Sequence, residues 1–264
     1  MSDGIKWLAE WDIPVEGVVF ARGISADELA VRLGGVLREA TEPITHGEVE
    51  YLGMRGRRYG VRGDGVVRVG EDAGWAFAVE YGDSTGADRL EEIASGRVDA
   101  VHYLPMSARP PARFHYAKNG VLTCGFGIGE ESRRWGVEPD LLLPELIAEK
   151  VLHPDGSQNF PASREHHMAY QERSLGVLER RFGLSLPRAV LGEACLPAFG
   201  VRGAPAMRTG PEPDHQQIKA WAAALGLTWM RFPRDAGMSD GWSDGSRERS
   251  PDDARTEEVP VGVA

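Results

Sequence analysis

The sequence is short of cysteine, of lysine and of long apolar runs. Its two cysteines, Cys124 and Cys195, have no metal-ligand spacing and supply no disulfide framework, so they fit a reducing compartment. Of 30 basic residues, four are lysines (Lys6, Lys118, Lys150 and Lys219), and 40 acidic residues leave a net charge of −10. That balance excludes a surface dominated by nucleic-acid phosphate contacts, although it leaves room for local basic patches. No apolar stretch reaches the roughly 20 residues that a membrane helix needs. Lys6, Glu10 and Asp12 break up the start, where a signal peptide would need a continuous apolar segment. These absences predict a cytoplasmic chain with no membrane association.

What is there reads as an ordinary globular composition, 42% hydrophobic and 27% charged over 264 residues. The stretch from Ala73 to Leu143 organises the rest. In Trp75–Tyr81 the residues Trp75, Phe77, Val79 and Tyr81 alternate with Ala76, Ala78 and Glu80, which is a strand with one bulky, buried side. Gly82 and the cluster Asp83-Ser-Thr-Gly86 stop it. Arg89–Ile93 then makes a short amphipathic helix ending near Gly96, and Val98–Tyr103 makes a second strand. Beyond Pro105, Pro110 and Pro111, the runs Arg113–Ala117 and Val121–Phe126 flank Asn119-Gly120, the dipeptide best suited to a type I′ hairpin turn. A two-residue turn predicts that Lys118 faces Val121, Tyr116 faces Thr123 and His115 faces Cys124, so that His115, Leu122, Cys124 and Phe126 share one side.

Upstream, Val15–Phe20 looks extended, and Ser25 with Glu28 and Thr45 with Glu48 form capping-box pairs that open helices. Arg57–Val61 and Val66–Val69 read as a hairpin around Gly63-Asp64-Gly65. Downstream, Pro139–Ala148 starts a helix, and another runs from Ser163 to Phe182 with Met168, Leu175, Leu178 and Phe182 on its buried stripe. Ser185 reads as the cap of a last short helix through Cys195. The whole predicts an α+β domain over residues 1–200: an antiparallel meander sheet with helices packed on one side or end. Residues 201–264 read as a Gly/Pro linker, a short amphipathic helix at about 214–225 and an acidic tail of disordered composition. That tail helix carries Ile218, Trp221 and Leu225, extended by Trp229, an apolar stripe that one helix cannot bury by itself and that suits a protein partner.

The chemical candidates are few. His115 opposite Cys124 is a base beside a nucleophile, but a reactive thiol needs an electropositive, accessible setting, and an inert core cysteine is the plainer reading. His166 and His167 sit next to one another and so point about 100° apart on a helix; a metal site there would need Glu149, His153 or Asp155 brought in by the fold. Gly127-Ile-Gly129 is glycine-rich like a phosphate loop, yet Glu130 and Glu131 follow where phosphate would lie. Arg133-Arg134 and Arg55-Gly-Arg57-Arg58 read as solvated turns and arms. No cofactor is expected from any of these.

The segments ARGISADELAVRLGG, WAFAVEYG, ADRLEEIASG, RFHYAKNGVLTCGF and RRWGVEPDLL resemble, in the same order, an uncharacterised domain family of high-GC Gram-positive bacteria. The resemblance covers about residues 5–200 and implies a compact α+β domain. It brings no activity, cofactor or catalytic residue with it. Separately, IKAWAAALGL is similar to the first recognition helix of a nucleoid-associated family that reads AT-rich minor grooves, with Met230-Arg-Phe-Pro-Arg234 where that family has a basic turn. The expectation is therefore a non-catalytic, protein-binding or regulatory accessory, of the immunity or defence kind. The alternatives are a DNA-associated regulator acting through the tail helix, and an enzyme using a His/Cys or His/acid site.

Overall fold

Asn119 and Gly120 both take positive φ, 53° and 78°, as a type I′ turn requires, and they join strand β6 (Arg113–Lys118) to β7 (Val121–Gly127). The same turn chemistry recurs at Ala73 and Gly74, which join β3 (Asp64–Asp72) to β4 (Trp75–Gly82). The other strands are β1 (Gly17–Arg22), β2 (Thr41–Ile44), β5 (Asp99–Leu104) and β8 (Leu196–Arg202). Helices are α1 (Ala26–Arg32), α2 (residues 46–49), α3 (Leu90–Ile93), α4 (Leu143–Ala148) and α5 (Arg164–Phe182). The computed structural model describes residues 3–10, 15–35, 41–49, 64–82, 85–105, 111–160 and 164–202, with the side chains of 41, 64, 164–167 and 202 excepted.

Among the described residues the strands form one antiparallel sheet in the order β2-β8-β3-β4-β1-β5-β6-β7. The fold is α+β. The chain order departs from a simple meander at two places, because β1 lies between β4 and β5 and β8 lies between β2 and β3. Residues 196–202, read from the sequence as a helix end followed by a loop, are this inserted strand. Pro197 and Gly200 hide it, and Pro197 is tolerated because it falls outside the stretch of β8 that pairs with β3, opposite the short, irregular β2. Asp64 and Gly65, expected in a turn, pair with Arg202 and Val201 instead. Ser185 is buried, and the helical piece that follows is a 3-10 turn at Arg188–Leu191 with Pro187 at its N-cap position.

The two faces of the sheet are covered by different helices, for a reason visible in β4. Its small side carries Ala76 and Ala78, next to Ala21, Ala100 and Ala117 of neighbouring strands, which leaves room for Leu29, Ala30 and Leu33 of and beside α1 and for Leu90 and Ile93 of α3. Full burial of each of those leucines and Ile93 contributes roughly 1.5–3 kcal/mol. That packing holds helices of seven and four residues, too short to be stable alone. The bulky side meets α5: Trp75 Nε1 donates to the Phe182 carbonyl, and the Phe182 ring packs on Phe114 and Tyr116. Gly183, at φ 70°, ends α5. Both capping residues act as read. Ser25 accepts from Glu28 N–H, although the Glu28 side chain turns to Arg32, and at Thr45 and Glu48 the bonds run both ways.

Candidate functional site

Strand pairing brings three ionisable side chains into line on the small side of the sheet. Glu80 of β4 is 1% exposed, His102 of β5 is 0% and His115 of β6 is 2%. One Glu80 oxygen, Oε1, accepts from the backbone amides of Thr85 and Gly86 at 2.9 and 2.7 Å. The other, Oε2, lies 3.3 Å from His102 Nε2, an ion-pair distance rather than an aligned hydrogen bond. On the far side of that ring His102 Nδ1 faces His115 Nδ1 at 3.5 Å, the two rings being 24° from parallel. The Trp135 indole then closes over His115, its centroid 5.6 Å away. Gly86 has to be glycine for this to assemble, since a Cβ there would sit 2.4 Å from Val19 Cγ2, 2.9 Å from Glu80 Oε2 and 3.0 Å from His102 Cδ2. Chemically the line is an acid that orients one imidazole, which in turn faces a second. Such a chain can hold and pass a proton.

Two other buried polar groups serve as knots. Glu131, fully buried, accepts from Gly129 N–H, Tyr170 O–H and the Gln158 amide on one oxygen and from Ser174 O–H on the other, tying the loop after β7 to α5. Burial pushes its carboxyl above the usual range, and those donors pull the other way. Arg68 is also fully buried, and its guanidinium donates to the carbonyls of Ile44, Val190 and Ala194 and to the Tyr81 hydroxyl, joining β2, β4 and the segment before β8.

The expected His115–Cys124 pair does not form. The first partners after the turn are as read, Lys118 with Val121, but a bulge between Tyr116 and Ala117 gives β7 an extra residue at Thr123. Beyond it His115 faces Gly125 and Cys124 faces Tyr116, so the imidazole and the thiol lie on opposite sides of the sheet. Burial also pushes the Cys124 thiol up to about 12, and its Sγ–H points to the Pro139 carbonyl at 3.5 Å. The glycine-rich stretch after Phe126 is occupied from within, because Gly129 N–H donates to Glu131 and Glu130 N–H donates to the Gly127 carbonyl. Arg134 spends its fork on Asp140 and the Glu131 carbonyl. Glu149 pairs with Arg180, and His153 and Asp155 are exposed. His166 and His167 fall in the first turn of α5 with side chains outside the described residues, as are residues 55–58 and Ile218, Trp221, Leu225 and Trp229. Among the described residues no three His, Cys, Asp or Glu side chains come together as metal ligands, and no helix is long and apolar enough to cross a membrane.

A family model described as a family of unknown function, DUF6461, matches residues 16–198, from just before β1 into β8. The chain belongs to the DUF6461 family. No curated protein and no solved structure matches it. The matched span of this DUF6461 chain takes in Glu80, His102 and His115 together with Trp135. Two of those were missed in the sequence. Glu80 reads there as one more small-side residue beside Ala76 and Ala78, although a charge at an inward alternate position of a fully apolar strand is itself a signal. His102 could not be set against His115 without the length and path of the connection between β5 and β6.

Proposed function

We propose that this DUF6461 chain is a non-catalytic binding module, an accessory of the immunity or defence kind that acts on a protein partner. One observation carries the reading: the groups a catalyst would use are inside the domain. His102, His115, Glu80, Glu131 and Cys124 are each 2% exposed or less, and each has its place in the packing or hydrogen bonding of the core. The sequence pattern at Ile218, Trp221, Leu225 and Trp229, which lies outside the described residues, supports the reading, because an apolar stripe at helical spacing suits docking in a groove. The acidic balance favours protein over nucleic acid as that partner. Cytoplasmic residence belongs to the same proposal and is supported by two cysteines that are both free thiols.

The test is affinity capture with the full chain and with a Trp221→Asp, Leu225→Asp double variant, read by quantitative mass spectrometry. The expected result is a reproducible protein partner, enriched at least about tenfold over the variant, since two buried apolar anchors carry several kcal/mol in such grooves. Equal recoveries with both chains would overturn the reading. So would retardation of duplex DNA at physiological salt that the same substitutions abolish, which would select the DNA-associated alternative.

A further inference from the structure

Residues 3–10 lie on the domain as a separate strip, folded only at the 3-10 turn Lys6–Ala9. One such turn has no stability of its own, so its shape comes from what it rests on. The strip is gripped largely by its backbone, as a bound peptide is. Glu179 of α5 accepts from the Ile5 and Lys6 amides at 2.8 and 3.3 Å, and the Leu186 amide donates to the Gly4 carbonyl at 3.1 Å. Trp7 Nε1 donates to the Leu186 carbonyl at 3.0 Å, and the Tyr103 hydroxyl of β5 donates to the Leu8 carbonyl at 3.4 Å. Ile5, Leu8 and Trp7 are the apolar anchors, all buried. The Lys6 stem lies over Gly176, where a Cβ would fall 2.8 Å from Lys6 Cε. Arg188 closes the far side, its amide donating to Asp3 and its guanidinium lying over the Trp7 ring and against Glu10.

Among the described residues, none of 3–10 belongs to a ladder of the sheet, so lifting the strip breaks no strand pairing. The walls that grip it, Tyr103, Gly176, Glu179, Leu186 and Arg188, lie inside the span matched by the family model, and the strip precedes that span. We infer that these walls form a peptide-binding groove, which residues 3–10 fill in cis and which takes an apolar segment of a protein partner in their place. The strip defines the chemistry of that segment. It presents two successive backbone amides to the Glu179 carboxylate, an aliphatic side chain at the first of them, and an indole N–H two positions later for the Leu186 carbonyl. It also carries glycine just ahead, because Gly4 holds φ at 64° and a Cβ there would fall 2.3 Å from Glu179 Oε2. Here the domain supplies the groove and the partner the segment, so the inference stands apart from the tail stripe.

The experiment is fluorescence anisotropy with a labelled, end-capped peptide of residues 3–10 and three forms of the full chain. These are wild type, a released variant (Gly4→Val, Trp7→Asp), and the released variant carrying Glu179→Ala as well. The released variant should bind the peptide at least about tenfold more tightly than wild type, whose groove is free only in the small fraction of molecules with the strip detached. Glu179→Ala should remove most of that gain, since two charge-assisted hydrogen bonds go with it. Equal affinities for wild type and the released variant would overturn the inference. A wild-type dimer that Trp7→Asp splits would overturn it by giving the groove to a second copy of the chain. Binding to the released variant that appears only after Trp221→Asp would do the same by giving it to the chain's own tail. Should the released variant fail to fold, hydrogen exchange of wild type decides. Ile5 and Lys6 amides exchanging at least about a hundredfold faster than the Val101 amide of β5 mark a detachable strip, whereas equal protection marks a fixed one and overturns the inference.

Discussion

Gly125 lies across from His115 in the β6–β7 ladder and directly beneath Trp135, so that one missing Cβ lets an indole reach a buried imidazole. A methyl group at that position would fall 2.6 Å from Trp135 Nε1 and 3.2 Å from His115 Cδ2. Gly125→Ala should therefore destabilise the domain by about 1–3 kcal/mol, measured by urea unfolding. In a Trp135→Ala background most of that cost should vanish, because the clash is with the indole. An undiminished cost would place the strain elsewhere.

The two thiols should differ sharply in reactivity. Cys195 is exposed, whereas Cys124 is buried and its thiol is pushed up to about 12. At pH 8 roughly one Cys124 in ten thousand is then thiolate, before the barrier of access is counted. Intact-mass analysis after iodoacetamide should show one modified thiol in the native chain and two in denaturant. Rapid double labelling of the native chain would contradict the placement of Cys124.

Acid should weaken the fold through the ion pair at Asp99. Burial opposes ionisation of Asp99, but hydrogen bonds from Arg22 and Tyr116 and the charges of Arg22 and Lys118 outweigh it and hold the carboxyl below its ordinary range. A group depressed in the folded state contributes stability that is present above the unfolded value, near pH 4, and lost as pH falls through the folded one. Asp99→Asn should thus cost about 1 kcal/mol at pH 7, and the gap to wild type should close below about pH 4. A gap that is unchanged at pH 3 would remove the ion-pair account.

One turn carries strain that a substitution can relieve. Ala73 holds φ at 48°, the left-handed region, at the first turn position between β3 and β4. Asn tolerates that region better, as Asn119 shows in the corresponding place of the β6–β7 turn. Ala73→Asn is expected to raise stability by about 0.5–1 kcal/mol, and Ala73→Val to lower it by at least as much. Thermal unfolding of the two variants checks both signs.

The sequence by itself determined the parts of this protein whose physics is local. Alternation marks Trp75–Tyr81 as a strand, Asn119-Gly120 demands its turn, Thr45 and Glu48 demand their cap, and Gly183 ends the long helix. In each case the cause lies within a few residues of the effect, and the α+β class follows from adding such pieces together. What tertiary structure alone decided is where strands distant in the chain lie side by side. An extra residue at Thr123 moved Cys124 away from His115. The insertion of β1 between β4 and β5 set Glu80, His102 and His115 in one line, from three strands that neighbouring residues do not connect. Pro197 and Gly200 masked β8, whose place in the sheet comes from its ladders with β2 and β3 rather than from its own propensity. Registry between distant strands depends on the burial of whole faces and on the path of the connections, and neither quantity belongs to any short stretch of residues.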